Sequence, residues 1–89
     1  MSFKWDPAKA QANLRKHGVD FADAVGVLED PAAVTIDDDA TGEKRFVSVG
    51  TDFIGRLLVV CWTRRGEDIR LISVRPATRA ERRQYEEGE

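Results

Sequence analysis

Leu57-Leu58-Val59-Val60-Cys61-Trp62 is an unbroken apolar run. It is strand-length and does not alternate, so it fits a central strand covered on both faces. An 89-residue chain has room for one such core. The whole of 1–89 therefore reads as a single domain, near the lower size limit for folding without covalent or metal staples. Cys61, the lone cysteine, lies inside the run and reads as a core thiol. One Cys and one His give no ligand-spaced pair, so neither a metal nor another cofactor is expected.

The flanking signals are local and specific. Phe3-Lys4-Trp5 looks like a short opening strand. Asp6-Pro7 opens a helix, with Asp as cap and Pro preset for the first helical position. That helix runs to Lys16-His17 and stops at Gly18, a left-handed cap. Asp20 caps a second helix with Phe21, Ala24, Val25 and Leu28 on one face, ended by Asp30-Pro31. Ala33-Val34-Thr35-Ile36 is strand-like and leads into an acidic turn, notably Asp37-Asp38-Asp39, closed by Gly42. Lys44 to Val49 alternates, with Arg45, Val47 and Val49 on one face and Lys44, Phe46 and Ser48 on the other. A last strand spans Asp68 to Val74, and Thr78-Arg79-Ala80-Glu81 is a capping box for a C-terminal helix. Short connections favour antiparallel neighbours. The expected fold is α+β: a twisted antiparallel sheet with the two N-terminal helices on one face, a short C-terminal helix, and Phe21, Val25, Leu28, Val59 and Ile72 in the core.

The N-terminus is charged and lacks an apolar signal segment, and no run is long enough to span a membrane, so a cytoplasmic protein is expected. The formal net charge is -2, which is not that of a general nucleic-acid binder. Its distribution is uneven, however. Acids dominate Asp20 to Glu43 and arginines dominate Arg64 to Arg83, and the local field decides where an anion binds.

His17, the only histidine, suits proton transfer near neutrality, with Lys16 beside it to hold a phosphate. It equally suits the last turn of a helix, where cations meet free carbonyls. Arg70 and Arg75 share a strand but lie an odd number of residues apart, which ideal alternation puts on opposite faces. They converge only if the strand twists, bulges or ends before Pro76. Glu81 serves either the capping box or catalysis. Tyr85, one turn further on, is either a substrate contact or the apolar anchor of a polar helix. Arg45 is unusual on an apolar strand face, and Arg79 and Arg82 add charge to the last helix. Trp5 and Trp62 are core residues or stacking platforms for bases.

Taken in order, Trp5-Asp6, Lys9, Asn13, Lys16-His17-Gly18-Val19, Phe21, Ala24, Asp30-Pro31, Gly42-Glu43-x-Arg45, Arg70-x-Ile72-Ser73-x-Arg75-x-Ala77 and Glu81-Arg82-x-x-Tyr85 resemble the BrnT toxin family over nearly the whole chain. The resemblance implies a RelE-like fold and an endoribonuclease toxin of a type II toxin–antitoxin module that arrests translation and growth. It also implies a BrnA-like ribbon-helix-helix antitoxin as partner, with operator DNA bound only through the complex. RNA supplies its own nucleophile, the 2′-hydroxyl, so the residues suit a metal-independent reaction. His17, Arg70, Arg75 and Glu81 are the expected catalytic set, and Lys16, Arg45, Arg79, Arg82 and Tyr85 the expected substrate contacts. The competing classes are a binding module that engages only its partner and operator, and a degenerate toxin.

Overall fold

The computed structural model describes residues 2–38 and 42–87. The element order is β1 (Phe3–Lys4), α1 (Pro7–His17), α2 (Phe21–Leu28), β2 (Val34–Asp38), β3 (Arg45–Thr51), β4 (Leu57–Arg65), β5 (Asp68–Pro76) and α3 (Arg79–Glu87). The caps act as their chemistry demands. Asp6 Oδ1 accepts from the Ala8 N–H at 2.8 Å and Asp20 Oδ1 from Ala22 N–H at 3.1 Å. Gly18 closes α1 at φ 72°, where a Cβ is disfavoured.

The sheet order is β1-β5-β4-β3-β2. The pairs β2–β3, β3–β4 and β4–β5 are antiparallel, as expected. The sheet is nonetheless mixed, because β1 pairs parallel with β5 at its edge. The acidic turn is also shorter than the sequence indicates. Asp37 and Asp38 are the last residues of β2, paired with Phe46 and Arg45, and Lys44 Nζ lies 3.1 Å from Asp37 Oδ2. Asp39 falls outside the described residues.

β4 explains the apolar run. Leu58, Val60 and Trp62 face α1 and α2 and pack with Val19, Phe21, Ala24, Val27, Ile69, Leu71 and Val74. Leu57 and Val59 face the other way and pack with Val49 beneath Ala77 and Tyr85. The strand is thus covered on both faces, by two helices on one side and α3 on the other. Of the expected core residues, Phe21 and Val59 are buried. Val25, Leu28 and Ile72 are only half-buried. Val27 is fully buried with Phe21 and Ala24, at the i, i+3, i+6 positions of the inner stripe of α2, and Leu28 packs at the edge of the same core. Trp5 meets Phe21 edge-on at 6.2 Å and Trp62 stacks on Phe46 at 4.5 Å, so both tryptophans are spent on packing.

Ile72 is half-buried for a different reason. Cys61 pairs with Ser73 and Trp62 with Leu71, so Ile72 is an extra residue, a bulge in β5. The bulge switches the alternation of β5. Cross-strand partners project to the same side of a sheet. Arg70 opposite Thr63 and Arg75 opposite Val59 therefore share the α3-facing side, despite their odd spacing.

α1 is fastened to β5 by Asn13. Beyond β1, which covers only Ile69 and Arg70, the edge of β5 needs another partner. Asn13 Nδ2 donates to the Val74 carbonyl at 2.7 Å and to the Val19 carbonyl at 3.1 Å, and the Val74 N–H donates to Asn13 Oδ1 at 3.2 Å. The side chain continues the sheet and is itself buried.

Candidate active site

α3 delivers the chemistry to the second face of the sheet. Its inner surface is Glu81, Gln84 and Tyr85, at the i, i+3, i+4 spacing of one helical stripe. These residues and Val34, Ile36, Val47 and Val49 line a shallow cleft between α3 and the β2–β3 edge. Apolar contact is small along this helix, and two polar ties supply the rest.

The first tie is Arg75–Glu81. Arg75 Nη1 donates to Glu81 Oε1 at 2.8 Å and Nη2 to Oε2 at 2.7 Å, a bidentate fork. Glu81 Oε1 also accepts from the Thr78 N–H at 2.8 Å, and the Glu81 N–H donates to Thr78 Oγ1 at 3.2 Å. The capping box and the ion pair therefore coexist in one carboxylate. The Arg75 hydrogen bonds, with help from the Thr78 amide, outweigh burial and pull the Glu81 carboxyl from 4.5 down to about 2.

The second tie is Tyr85–Asp30. The Tyr85 hydroxyl donates to Asp30 Oδ2 at 2.8 Å. The same oxygen accepts from the Thr51 N–H at 2.9 Å and Thr51 Oγ1 at 3.1 Å, and Asp30 Oδ1 accepts from the Ala32 N–H at 2.9 Å. Burial pushes the Asp30 carboxyl up, but the bonds from Thr51, Ala32 and Tyr85 outweigh it and the net shift is downward. Asp30 is a site residue that the sequence showed only as a helix terminator. The signal was present, because an Asp before Pro is a strong turn acceptor, but its Tyr85 partner is 55 residues away.

Both carboxylates titrate lower in the fold than free, so each contributes stability above its unfolded pKa and loses it as pH falls through its folded one. For Glu81 that window runs from pH 4.5 down to about 2. The melting temperature should fall across this window more steeply in the native chain than in Glu81→Gln, as read by circular dichroism. Parallel pH profiles would remove the ion pair from the account.

The remaining expected residues are distributed more widely. Arg70 shares the Arg75 face but stands opposite Thr63 rather than Val59, four residues or about 13 Å away along β4. The two arginines stand in different rows of the sheet, and it is Arg75 that bonds Glu81. Arg45, opposite Thr63 on β3, belongs with Arg70. Lys16, Arg79 and Arg82 are exposed. His17 ends α1, in the layer that packs on the opposite side of the sheet, and the structure does not bring it to Arg75 and Glu81. Among the described residues, no three His, Cys, Asp or Glu side chains group closely enough to hold a metal ion, and no helix is long and apolar enough to cross a membrane.

No curated protein matches the chain. Among solved structures, the 1.1 Å crystal structure of the Brucella abortus ribonuclease toxin, BrnT, superposes with a TM-score of 0.72 at 30% sequence identity, covering 89% of this chain and 99% of that one. The family model for the ribonuclease toxin BrnT, of type II toxin–antitoxin systems, matches residues 5–81. With the same mixed sheet, helix layer and C-terminal helix, this chain belongs to the BrnT family of ribonuclease toxins.

Proposed function

We propose that this toxin is a metal-independent endoribonuclease that arrests translation, with the Arg75–Glu81–Tyr85 cleft as its active site. The bidentate Arg75–Glu81 fork carries the proposal. It places a permanent cation and a carboxylate that is ionised at neutral pH side by side, on a rigid strand end and a capped helix turn. A scissile phosphodiester competes with Glu81 for the guanidinium. As the phosphate takes over Arg75, Glu81 loses the interaction that depresses its pKa and becomes a better base. The 2′-hydroxyl proton passes to Glu81 and the 2′-oxygen–phosphorus bond forms. The phosphorus–5′-oxygen bond breaks, and the departing oxygen takes a proton from water. Arg75 stabilises the charge that builds on the phosphate oxygens.

The partner that fits is a BrnA-like ribbon-helix-helix antitoxin covering the arginine-rich α3 surface, and the complex would bind operator DNA. Expression of the toxin alone in the cytoplasm should arrest growth, and co-expression of the antitoxin should relieve it.

Glu81→Gln is the discriminating variant, because Gln retains the capping bonds. We expect it to stay folded but to melt roughly 4–8 °C below the native chain at neutral pH, the effect of losing an ion pair of about 1 kcal/mol, and to cleave a labelled RNA about 100-fold more slowly. The closed fork also favours a second assignment, in which Arg75 and Glu81 only brace α3 and the chain acts as a binding module. Full activity in Glu81→Gln would support bracing, and an inert but folded native protein would support the binding module.

A further inference from the structure

The α3-facing side of the sheet carries a second cationic group, beyond the reach of the cleft. In register, Arg45 pairs with Thr63, Thr63 with Arg70, and Arg70 with Lys4. The row therefore crosses β3, β4, β5 and β1 with all four side chains on one side. Two observations fix the side: Phe3, next to Lys4, and Phe46, next to Arg45, both pack into the helix-side core.

Thr63 is short and 3% exposed, and its hydroxyl is committed to the Lys44 carbonyl at 2.6 Å. Arg45 and Arg70 flank it, two strand spacings or about 10 Å apart at the backbone, a span that two arginine side chains are long enough to bridge. Among the described residues, Arg45 Nε is buried with no hydrogen-bond partner. A buried guanidinium N–H without an acceptor is costly, and an anion satisfies it. Asp38 stands opposite Arg45 at the far end of the row. Arg65, one row further on, is already opposite Glu43 at 4.0 Å.

We propose that Arg45, Arg70 and Lys4 form a second phosphate subsite, which grips the RNA backbone a few nucleotides from the bond held at Arg75. The proposal rests on the ribonuclease assignment, in that RNA lies along this face of the sheet. The subsite sits about 13 Å from the Arg75 row, measured along β4. Arg70 then positions substrate rather than sharing the transition state with Arg75. A slightly acidic toxin would thus obtain its affinity from one narrow track.

The test uses fluorescently labelled 2′-O-methyl RNA, which lacks the nucleophile, so binding is read separately from cleavage. The native toxin should bind a hexanucleotide far more tightly than a dinucleotide. In Lys4→Ala and Arg70→Ala that gain with length should shrink roughly tenfold each, and the dependence of log affinity on log salt should become shallower by roughly 0.7 per cation removed. Arg70→Lys, which keeps the charge, should retain the native salt slope and covers the case in which Arg70→Ala does not fold. Tight hexanucleotide binding by a protein that fails to cleave would retain the subsite and discard the ribonuclease assignment. Native-like hexanucleotide binding in both alanine variants would overturn the subsite. So would an equal loss for both lengths, which puts these cations at the cleft, or a loss confined to binding of the antitoxin.

Discussion

Arg75→Ala should lower RNA cleavage by about 100-fold, which corresponds to roughly 2.7 kcal/mol of transition-state stabilisation, the ordinary worth of one fixed donor to a developing charge. The fold should survive the change. Arg75 lies at the end of β5, and its side chain is 38% exposed. The Glu81 carboxylate retains its bond from the Thr78 N–H, so α3 keeps its cap. The loss of a half-exposed ion pair should cost about 1 kcal/mol in stability. Single-turnover cleavage together with a urea melt separates the two effects. A variant with native activity, or one whose activity falls only as far as its folded fraction, would reduce Arg75 to a brace for α3.

The largest stability effect should come from a residue with no part in the chemistry. Asn13→Ala removes three hydrogen bonds and leaves the N–H and carbonyl of Val74 unpaired at a covered sheet edge. Orphaned buried groups cost about 1–3 kcal/mol each, so a total near 3 kcal/mol is expected. In a domain of this size that corresponds to a drop of roughly 10–20 °C in melting temperature. Asn13→Asp should be at least as damaging, because a carboxylate would face the Val74 and Val19 carbonyls. A thermal melt of Asn13→Ala within 2–3 °C of the native chain, less than the effect of about 1 kcal/mol, would show that the Val74 edge finds water instead.

What the sequence revealed was what neighbouring residues decide. Asp6-Pro7, Gly18, Asp20 and the Thr78–Glu81 box each act within a turn of themselves, and all are found in place. The apolar run of β4 announced a strand covered on both faces, and α3 is the second cover. The shared face of Arg70 and Arg75 was not legible, because a bulge at Ile72 is set by the register with β4 and not by β5 itself. The role of Asn13 was hidden in the same way, since its partner Val74 is 61 residues distant. For the site, spacing along α3 grouped Glu81 with Tyr85, whereas the tie to Asp30 and the separation of Arg70 from Arg75 required the fold. His17 drew attention by its chemistry, but a helix terminus carries no information about which layer it will join.

The proposed reaction at the cleft runs through the substrate's own 2′-hydroxyl. The most direct measurement is the end chemistry of fragments produced by the purified toxin in EDTA. The arrangement of Arg75 and Glu81 predicts 5′-hydroxyl ends paired with 2′,3′-cyclic phosphate or 3′-phosphate ends. Fragments with 5′-phosphate ends, or cleavage abolished by EDTA and restored by Mg²⁺, would contradict it.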